Sequence, residues 1–580
     1  MRWRDLKAGE LRPEHVGRRL ALAGWAARRR DHGGLVFIDL RDEGGVAQLV
    51  INPERAPKAA AVAHEVRSEF VIRAVGDVAA RAPEAVNPNL PTGEVELQVD
   101  GLEIVSRSEP LPFQVGDENV DEGTRLRYRY LDLRSEHMQR NLRVSATVVA
   151  AIRRFMDGHG FVDVWTPNLT KATPEVARDF LVPVRLQPGR FFALPQSPQI
   201  FKQILMVAGF GRYYQIATCF RDEDLRADRQ FEFRQLDLEL AFPTREEVWD
   251  TLEGAVVASF EALGRDPPLR PFRRLTWHEA MARYGSDKPD LRFGLELHDL
   301  TEETRDSDFN VFAQAPSVQY LTVPQELSRA ELASLEELAK EWGGKGLAYL
   351  VFGEEREVRS PIAKFLSAET IEAVRPEQPG ATVLFGADEA ATVARVLAAV
   401  RNHIGRELEL IDETRDEFLW VTDFPLFEWD EDGRRWTFSH HPFTGVQPGD
   451  EDLIESDPGS VLSQAYDLVW NGWELGSGSI RIHDPAIQSR VFAAMGITPE
   501  EAEERFGFLL EVLRMGAPPH GGFAMGLERF VALLAGEHNI REVVAFPKTA
   551  SGSEPLSGAP TAIAQDILAE LGIHVLLQEN

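Results

Sequence analysis

The sequence predicts a multidomain α+β protein that begins with a small five-stranded β-barrel, and three observations carry that expectation. At 580 residues the chain is too long for a single hydrophobic core. Its first hundred residues read as five alternating strands with one helix, whereas residues 137–556 mix helices with longer strands. Between residues 291 and 415 the pattern changes to that of a self-contained α+β insertion.

The barrel strands are "RRLALAGWAARR", "GLVFIDLRD", "GGVAQLVIN", "EFVIRAVGDVAAR" and "GEVELQVDGLEIVS", with a helix expected near 55–68. Five strands and a helix of that length fit a barrel of the oligonucleotide-binding type. Alternation in "GLVFIDLRD" puts Phe37, Asp39 and Arg41 on one face, and Val36, Ile38 and Leu40 on the other. Phe37 is thus an aromatic on a polar face, a stacking platform for an unpaired base or a half-buried core residue. Residues 107–136 are rich in charge and turn formers and read as a connector. A helix over about 136–158 opens the next domain, 137–290, which resumes at 416–556 after the insertion; residues 557–580 form a C-terminal extension.

Composition narrows the function. Hydrophobic residues make up 43% of the chain and aromatics 9%, values of an ordinary globular protein. No apolar run is long enough to span a membrane, and "MRWRDLKAGELRPEH" has no signal-type apolar segment, so the expected location is the cytoplasm. The single cysteine, Cys219, excludes an intrachain disulfide or a cysteine-cluster zinc site. A net charge of −30 argues against unspecific nucleic-acid binding, but residues 1–34 hold nine Lys/Arg, Arg28, Arg29 and Arg30 among them, against four acids. Such a patch docks a polyanion at one place on an acidic protein.

Four stretches concentrate chemistry. "CFRDEDLRADRQFEF" joins two strands; parity puts Arg221 and Glu223 on one face of the first, and Phe233, Gln235, Asp237 and Glu239 on one face of the second, with Leu236, Leu238 and Leu240 behind. An aromatic among mixed charges there reads as a binding floor or as a plain solvent face. In "AYDLVWNGWELGSGSIRIHD", Asn471-Gly472 is a two-residue hairpin turn. It would set Val469 opposite Glu474 and Asp467 opposite Gly476, making Asp467 and Glu474 same-face diagonal neighbours roughly 7–8 Å apart. A hard cation such as Mg²⁺ carrying phosphates bridges that span. Arg481, seven residues beyond Glu474, joins this face only if "GSGS" contains a bulge, which its glycines permit. "GAPPHGGFAMGLERFVALLAG" is a glycine-rich strand followed by an amphipathic helix with Arg529 in its first turn, where the dipole disfavours a cation and favours a bound phosphate. "LPQSPQIFKQ" begins a helix with Ser197 as N-cap and Pro198 at its first position, and puts Gln199 and Lys202 on one face.

In combination these stretches resemble the class II aminoacyl-tRNA synthetases. "FRDE…RQFEF" is similar to their motif 2, "GLER" to motif 3 and "GFVDVWTP" to motif 1. An N-terminal oligonucleotide-binding barrel narrows the resemblance to the Asp, Asn and Lys subclass. "TPEVARDF", "LPQSPQIFKQ", "FSHHPFT", "GSIRIHD" and the insertion between motifs 2 and 3 narrow it to the bacterial aspartate-specific group.

The resemblance implies a class II catalytic domain on an antiparallel sheet flanked by helices, and activation of L-aspartate by ATP with transfer to tRNA(Asp). Catalytic roles fall to Arg221, Glu474 and Arg529. ATP would be bound by Arg221, Asp222, Glu223, Gln230, Phe233, Glu474 and the run Gly526, Leu527, Glu528, Arg529, with Mg²⁺ on Asp467 and Glu474. Aspartate would be held by Glu175 (on a closing loop), Ser197, Gln199, Lys202, Arg221, Asp237, His440 and Arg481. In the barrel Arg28, Arg30, His32, Phe37, Gln48 and Glu96 match anticodon-reading positions. A homodimer is implied through motif 1. Ala524 and Glu528 stand where the family often has Gly and Asp. His32 stands where strict bacterial enzymes have Leu, which resembles enzymes that also charge tRNA(Asn); a histidine without consequence stays open. An asparagine-specific enzyme would not need two cations, Lys202 and Arg481, at the side chain. A non-catalytic RNA-binding paralogue would have lost one of Arg221, Glu474 and Arg529.

Overall fold

The computed structural model describes residues 2–172, 177–355 and 357–576. The chain divides into two compact units, Met1–Leu142 with Pro555–Ser557, and Arg143–Glu554 with Gly558–Asn580.

The first unit holds β1 (Arg19–His32), β2 (Leu35–Asp42), β3 (Gly45–Ile51), α1 (Pro57–Glu65), β4 (Val71–Ala80) and β5 (Val95–Ser106). The strands close into a barrel in the order β1-β2-β3-β5-β4, with β3 and β5 parallel. Strict alternation in β2 buries Val36, Ile38 and Leu40 in the barrel core and turns Phe37, Asp39 and Arg41 outward. A bulge at Ala27 lets Arg28 pair with Asp39 and Arg30 with Phe37.

The second unit begins in α2 (Glu136–Gly158), followed by β6 (Val162–Asp163), α3 (Gln199–Val207), β7 (Arg212–Phe220), β8 (Glu232–Ala241), α4 (Arg245–Ala262) and β9 (Arg273–Thr276). The insertion has its own antiparallel sheet, β10 (Leu297–Asp299), β11 (Ser317–Val323), β12 (Ala348–Phe352), β13 (Val358–Arg359) and β14 (Ala381–Asp388), ordered β10-β11-β14-β12-β13. Helices Arg329–Glu341 (α5) and Ala390–Glu407 (α6) bury their apolar stripes against it. The chain then returns through β15 (Phe418–Thr422), β16 (Ala465–Trp470), β17 (Trp473–Ile480), β18 (His520–Gly526) and α7 (Leu527–Ala535).

These strands complete an eight-stranded sheet, β9-β15-β16-β17-β18-β8-β7-β6. Its six central strands are antiparallel, and only the outer pairs β9–β15 and β6–β7 are parallel. One face packs Leu236, Leu238, Leu240, Trp420, Leu468, Phe523 and Met525 against α2, α4 and α7. Each of these sits at every second position of its strand, so the opposite face receives the intervening polar residues. No helix among the described residues is long and apolar enough to cross a membrane.

Candidate active site

The polar face of the eight-stranded sheet forms the floor of a cleft of about 470 Å³. Into it converge Ser197, Gln199 and Lys202 from the start of α3, Arg221, Glu223 and Gln230 from the β7–β8 loop, and Phe233 and Asp237 from β8. His440, Asp467, Glu474, Arg481, Gly526, Glu528 and Arg529 complete the predicted set found there. Asp222 instead borders a neighbouring groove with Arg178 and Phe231. Leu527 turns its side chain into the core under the sheet. Glu175 lies outside the described residues.

Three local expectations need correction. Helix α3 starts at Gln199, with Pro198 in the N-cap position. Ser197 stands one residue further out, and its hydroxyl accepts a long bond from the Gln199 N–H, 3.4 Å. Strand β7 ends at Phe220, so Arg221 and Glu223 belong to the loop; the Arg221 N–H still donates to the Phe231 carbonyl at 2.9 Å and keeps the loop's base closed. Asp467 pairs with Ser477, not Gly476, because Leu475 is an extra residue between the pairs Val469–Glu474 and Leu468–Gly476.

That bulge organises the site. Leu475 is buried in the core, and every residue after it changes parity. Ser477, Ser479 and Arg481 thereby join Asp467 and Glu474 on the cleft face. The turn before it is as the Asn-Gly pair requires: Asn471 and Gly472 have φ of 51° and 81°.

At the deep end lies a buried quartet of charges. Lys202 Nζ is 3.1 Å from Asp237 Oδ2 and 3.4 Å from Glu239 Oε2. Arg481 donates through Nε and Nη2 to the two oxygens of Glu239, at 3.0 and 3.2 Å. Burial pushes the Asp237 carboxyl up to about 6, against the pull of Lys202. Burial acts on Glu239 in the same direction, but Arg481 and Lys202 more than offset it and hold that carboxyl below its ordinary range. Glu239 lies on the polar face of β8, as alternation predicts, but is absent from the sequence-based set; its signal was its alternation with Gln235 and Asp237. Gly522 of β18 is what admits it, since a Cβ there would meet Glu239 Oε2 at 2.1 Å. Asp237 Oδ1 is buried and has no hydrogen-bond donor among the described residues.

At the outer end Arg529 occupies the first turn of α7, as its sequence position implies. It donates to the Glu474 carbonyl at 3.0 Å and pairs with Asp228 of the β7–β8 loop at 3.1 Å. Glu528 is bound by the backbone N–H and Nε of Arg234, at 2.8 and 2.7 Å. Gln230 exchanges both amide groups with the Lys548 backbone, at 2.7 and 3.1 Å. Arg221 lies over the Phe233 ring, 5.1 Å from its centre, and among the described residues its buried Nε has no hydrogen-bond partner.

Between the two ends, His440 Nε2 is 3.7 Å from Asp467 Oδ1, an oxygen that is buried without a donor among the described residues. Burial pulls His440 down, but Asp467, Glu474 and Glu428 hold it above its ordinary value. Its neighbour His441 is driven well below, by burial and then by Arg481 and Lys202. Lys288, absent from the sequence-based set, stands 3.5 Å from Glu474 Oε2. Among the described residues no three His, Cys, Asp or Glu side chains converge as a metal site.

On the barrel, His32, Arg30 and Arg28 pair with Leu35, Phe37 and Asp39, so all share the outer face with Phe37. Gln48 follows on β3, opposite Asp39, and donates to Glu96 of β5 at 2.9 Å. The six barrel positions therefore form one continuous exterior strip. His32 is exposed at the β1–β2 turn, not a core histidine.

Comparison with known proteins agrees with this architecture. The model for class II tRNA synthetases (D, K and N) matches residues 121–550, and that for the OB-fold nucleic acid binding domain matches residues 20–105. An aspartate--tRNA ligase from Geobacillus kaustophilus is 49% identical, with 100% of both chains covered. An aspartate--tRNA(Asp/Asn) ligase from a Geobacillus strain is also 49% identical, over 99% of this chain and 98% of that one. An asparaginyl-tRNA synthetase from Pyrococcus horikoshii, complexed with asparaginyl-adenylate, shares the fold at a TM-score of 0.59 and 18% identity, covering 94% of this chain and 98% of that one. A charged cleft on an antiparallel sheet, an OB barrel and these full-length relatives lead to one assignment: the chain belongs to the aspartate--tRNA ligase family of the class II tRNA synthetases.

Proposed function

We propose that the chain activates L-aspartate with ATP, releasing pyrophosphate, and transfers the aspartyl group to the 3′ end of tRNA(Asp). The observation that carries the reading is the buried quartet: Lys202 and Arg481, only 1% and 5% exposed, offer two cations where a side-chain carboxylate would lie. An amide side chain gives no return for that arrangement. A carboxylate is already ionised at neutral pH, so its attack on the α-phosphorus needs no general base. The protein's contribution is then positioning and neutralisation of charge.

In this reading Arg221, whose Nε is free to donate, bridges the α-phosphoryl oxygens and the substrate α-carboxylate, while Phe233 stacks on adenine. Glu223 contacts the adenosine side. Arg529, tethered to the Glu474 carbonyl, stands at the γ-phosphate end. Gly526 and the backbone of Leu527 border the nucleotide, with Glu528, Asp222 and Gln230 shaping its surroundings. Gln199, Ser197, Asp237 and, from its loop, Glu175 take the amino-acid end, and His440 lies beside them. Asp467 and Glu474 fit Mg²⁺: one offers a buried oxygen without a donor and the other a half-exposed carboxylate on the same face, the donor set of an ion that keeps phosphate ligands. When bound, that ion would supply neutralisation of phosphate charge.

The barrel strip of Arg28, Arg30, His32, Phe37, Gln48 and Glu96 reads the anticodon, residues 1–106 serving as that domain. Residues 107–136 link it to the catalytic parts 137–290 and 416–556, and 291–415 is the insertion. The enzyme works as a cytoplasmic homodimer.

Exposure of His32 at the tip of the reading strip favours a second activity, charging of tRNA(Asn) with aspartate. Labelled aspartate should be attached to both tRNA(Asp) and tRNA(Asn) transcripts. His32→Leu should cut charging of tRNA(Asn) at least tenfold, the order of one lost base-edge contact, and leave tRNA(Asp) within twofold. Charging of tRNA(Asp) alone by the parent would remove the second activity; charging of neither would remove the first.

Asp237 sets a pH dependence. Its carboxyl is raised to about 6, so its contribution to stability is complete below the unfolded value and is lost as pH rises through about 6. Its contribution to binding has the opposite sense, because only the ionised form offers an anionic acceptor. The KM for aspartate should therefore rise as pH falls through about 6, with the KM for ATP flat. In Asp237→Asn that inflection should vanish.

A further inference from the structure

We infer that His520 and Gln203 are positioning residues: they fix the orientation of the Gln199 amide so that its oxygen, not its nitrogen, faces the substrate. The inference rests on the aspartate-activating reading, and it makes two residues outside the predicted set responsible for telling the ammonium end of the substrate from its carboxylate end.

The orientation follows from one end of a hydrogen-bond chain. His520 Nδ1 lies 2.8 Å from the Pro518 carbonyl oxygen, which can only accept, so Nδ1 carries the proton. In the neutral ring Nε2 is then an acceptor. It lies 2.9 Å from the Gln203 amide nitrogen, which must be the donor. The Gln203 oxygen is thereby left for Gln199, and accepts from Gln199 Nε2 at 3.0 Å. Gln199 and Gln203 are four apart on α3 and stack on one face. With its nitrogen so engaged, the Gln199 side chain, which lines the cleft, presents Oε1 to the substrate.

Everything along the chain is enclosed. Gln203 and His520 have no solvent exposure and Gln199 has 6%, so a reversed amide would leave two like groups facing each other without water to separate them. Burial keeps the imidazole neutral, with Arg481 and His483 acting in the same sense and Glu239 and the Pro518 carbonyl against it.

The same wall carries a second acceptor, Asp237 Oδ1, buried and without a donor among the described residues. Gln199 Oε1 and Asp237 Oδ1 together match an ammonium group, as Lys202 and Arg481 match a carboxylate. The two ends of a zwitterion are thus assigned opposite subsites. Reversal of Gln199 would turn an N–H toward the ammonium and cancel one side of that assignment.

His520→Phe and Gln203→Met each break the chain while keeping volume, and Gln203→Met carries the test where His520→Phe does not fold. ATP–pyrophosphate exchange gives the KM for aspartate and for ATP, and succinate, a dicarboxylate without the ammonium, serves as a competitive probe. In both variants the KM for aspartate should rise about tenfold or more, the order of one hydrogen bond to a charged group. The KM for ATP and the inhibition constant of succinate should stay within twofold. His520→Gln, which offers an acceptor oxygen near the place of Nε2, should recover aspartate to within about threefold of the parent. An aspartate KM within twofold in both variants, or succinate weakening in parallel with aspartate, overturns the inference alone. A parent enzyme with no aspartate-dependent exchange overturns the functional reading on which it rests.

Discussion

Arg221→Ala should lower the kcat of aspartate-dependent ATP–pyrophosphate exchange by about 10²–10³-fold, the loss expected when one preorganised donor to a developing charge is removed. The side chain is already seated to donate, since it lies over Phe233 and its Nε has no acceptor among the described residues. The described contacts of Arg221 are the backbone N–H bond to Phe231 and the Phe233 ring, so thermal unfolding of the variant should stay close to the parent's. Arg221→Lys should recover only a small part of the rate, since an ammonium cannot span two oxygens as a planar guanidinium does. Exchange within about threefold of the parent in Arg221→Ala would mean that the α-phosphoryl is held elsewhere.

Arg481→Met has the larger effect on the fold and a comparable one on function. Glu239 accepts two bonds from Arg481 in a site with no solvent exposure, and its other cationic partner, Lys202, is shared with Asp237. Removing one partner of a buried pair costs about 3–5 kcal/mol, because the remaining charge stays buried. Denaturant unfolding should show that loss in the transition of the second unit. The kcat/KM for aspartate should fall by about 10²–10³-fold at the same time. In Arg481→Met/Glu239→Gln the orphaned charge is gone, so stability should return in large part while aspartate activation should not. Recovery of both together would reduce Arg481 to a structural role.

Much of this was legible from two periodicities. Alternation along "FRQLDLELAF" separated the leucines of the core from Phe233, Gln235, Asp237 and Glu239, and the eight-stranded sheet has that division. Alternation in "GLVFIDLRD" did the same for the barrel. The Asn-Gly turn located the β16–β17 hairpin correctly.

Parity failed where the ladder is irregular. Nothing in "WELGSGSI" marks Leu475, rather than one of the glycines after it, as the bulged residue; that choice depends on the apolar pocket beneath it. The Arg481 side chain reaches the cleft only through that choice. Contacts between residues far apart in the chain were hidden for a similar reason. Gln203 and His520 are separated by 317 positions and meet only because β18 returns beside β8. Lys288 comes from the entrance to the insertion and meets Glu474 across the hairpin. Such encounters are set by topology and have no local signature.

The central claim is that Lys202 and Arg481 select a side-chain carboxylate, and one measurement bears on it most directly. Purified enzyme is assayed for ATP–pyrophosphate exchange with aspartate, asparagine and lysine in turn, at matched concentrations. Exchange with aspartate at least 10³-fold above the other two, as expected of a site whose buried charges are left unpaired by the wrong side chain, is the result predicted. Exchange driven by asparagine or lysine as well as by aspartate would contradict it.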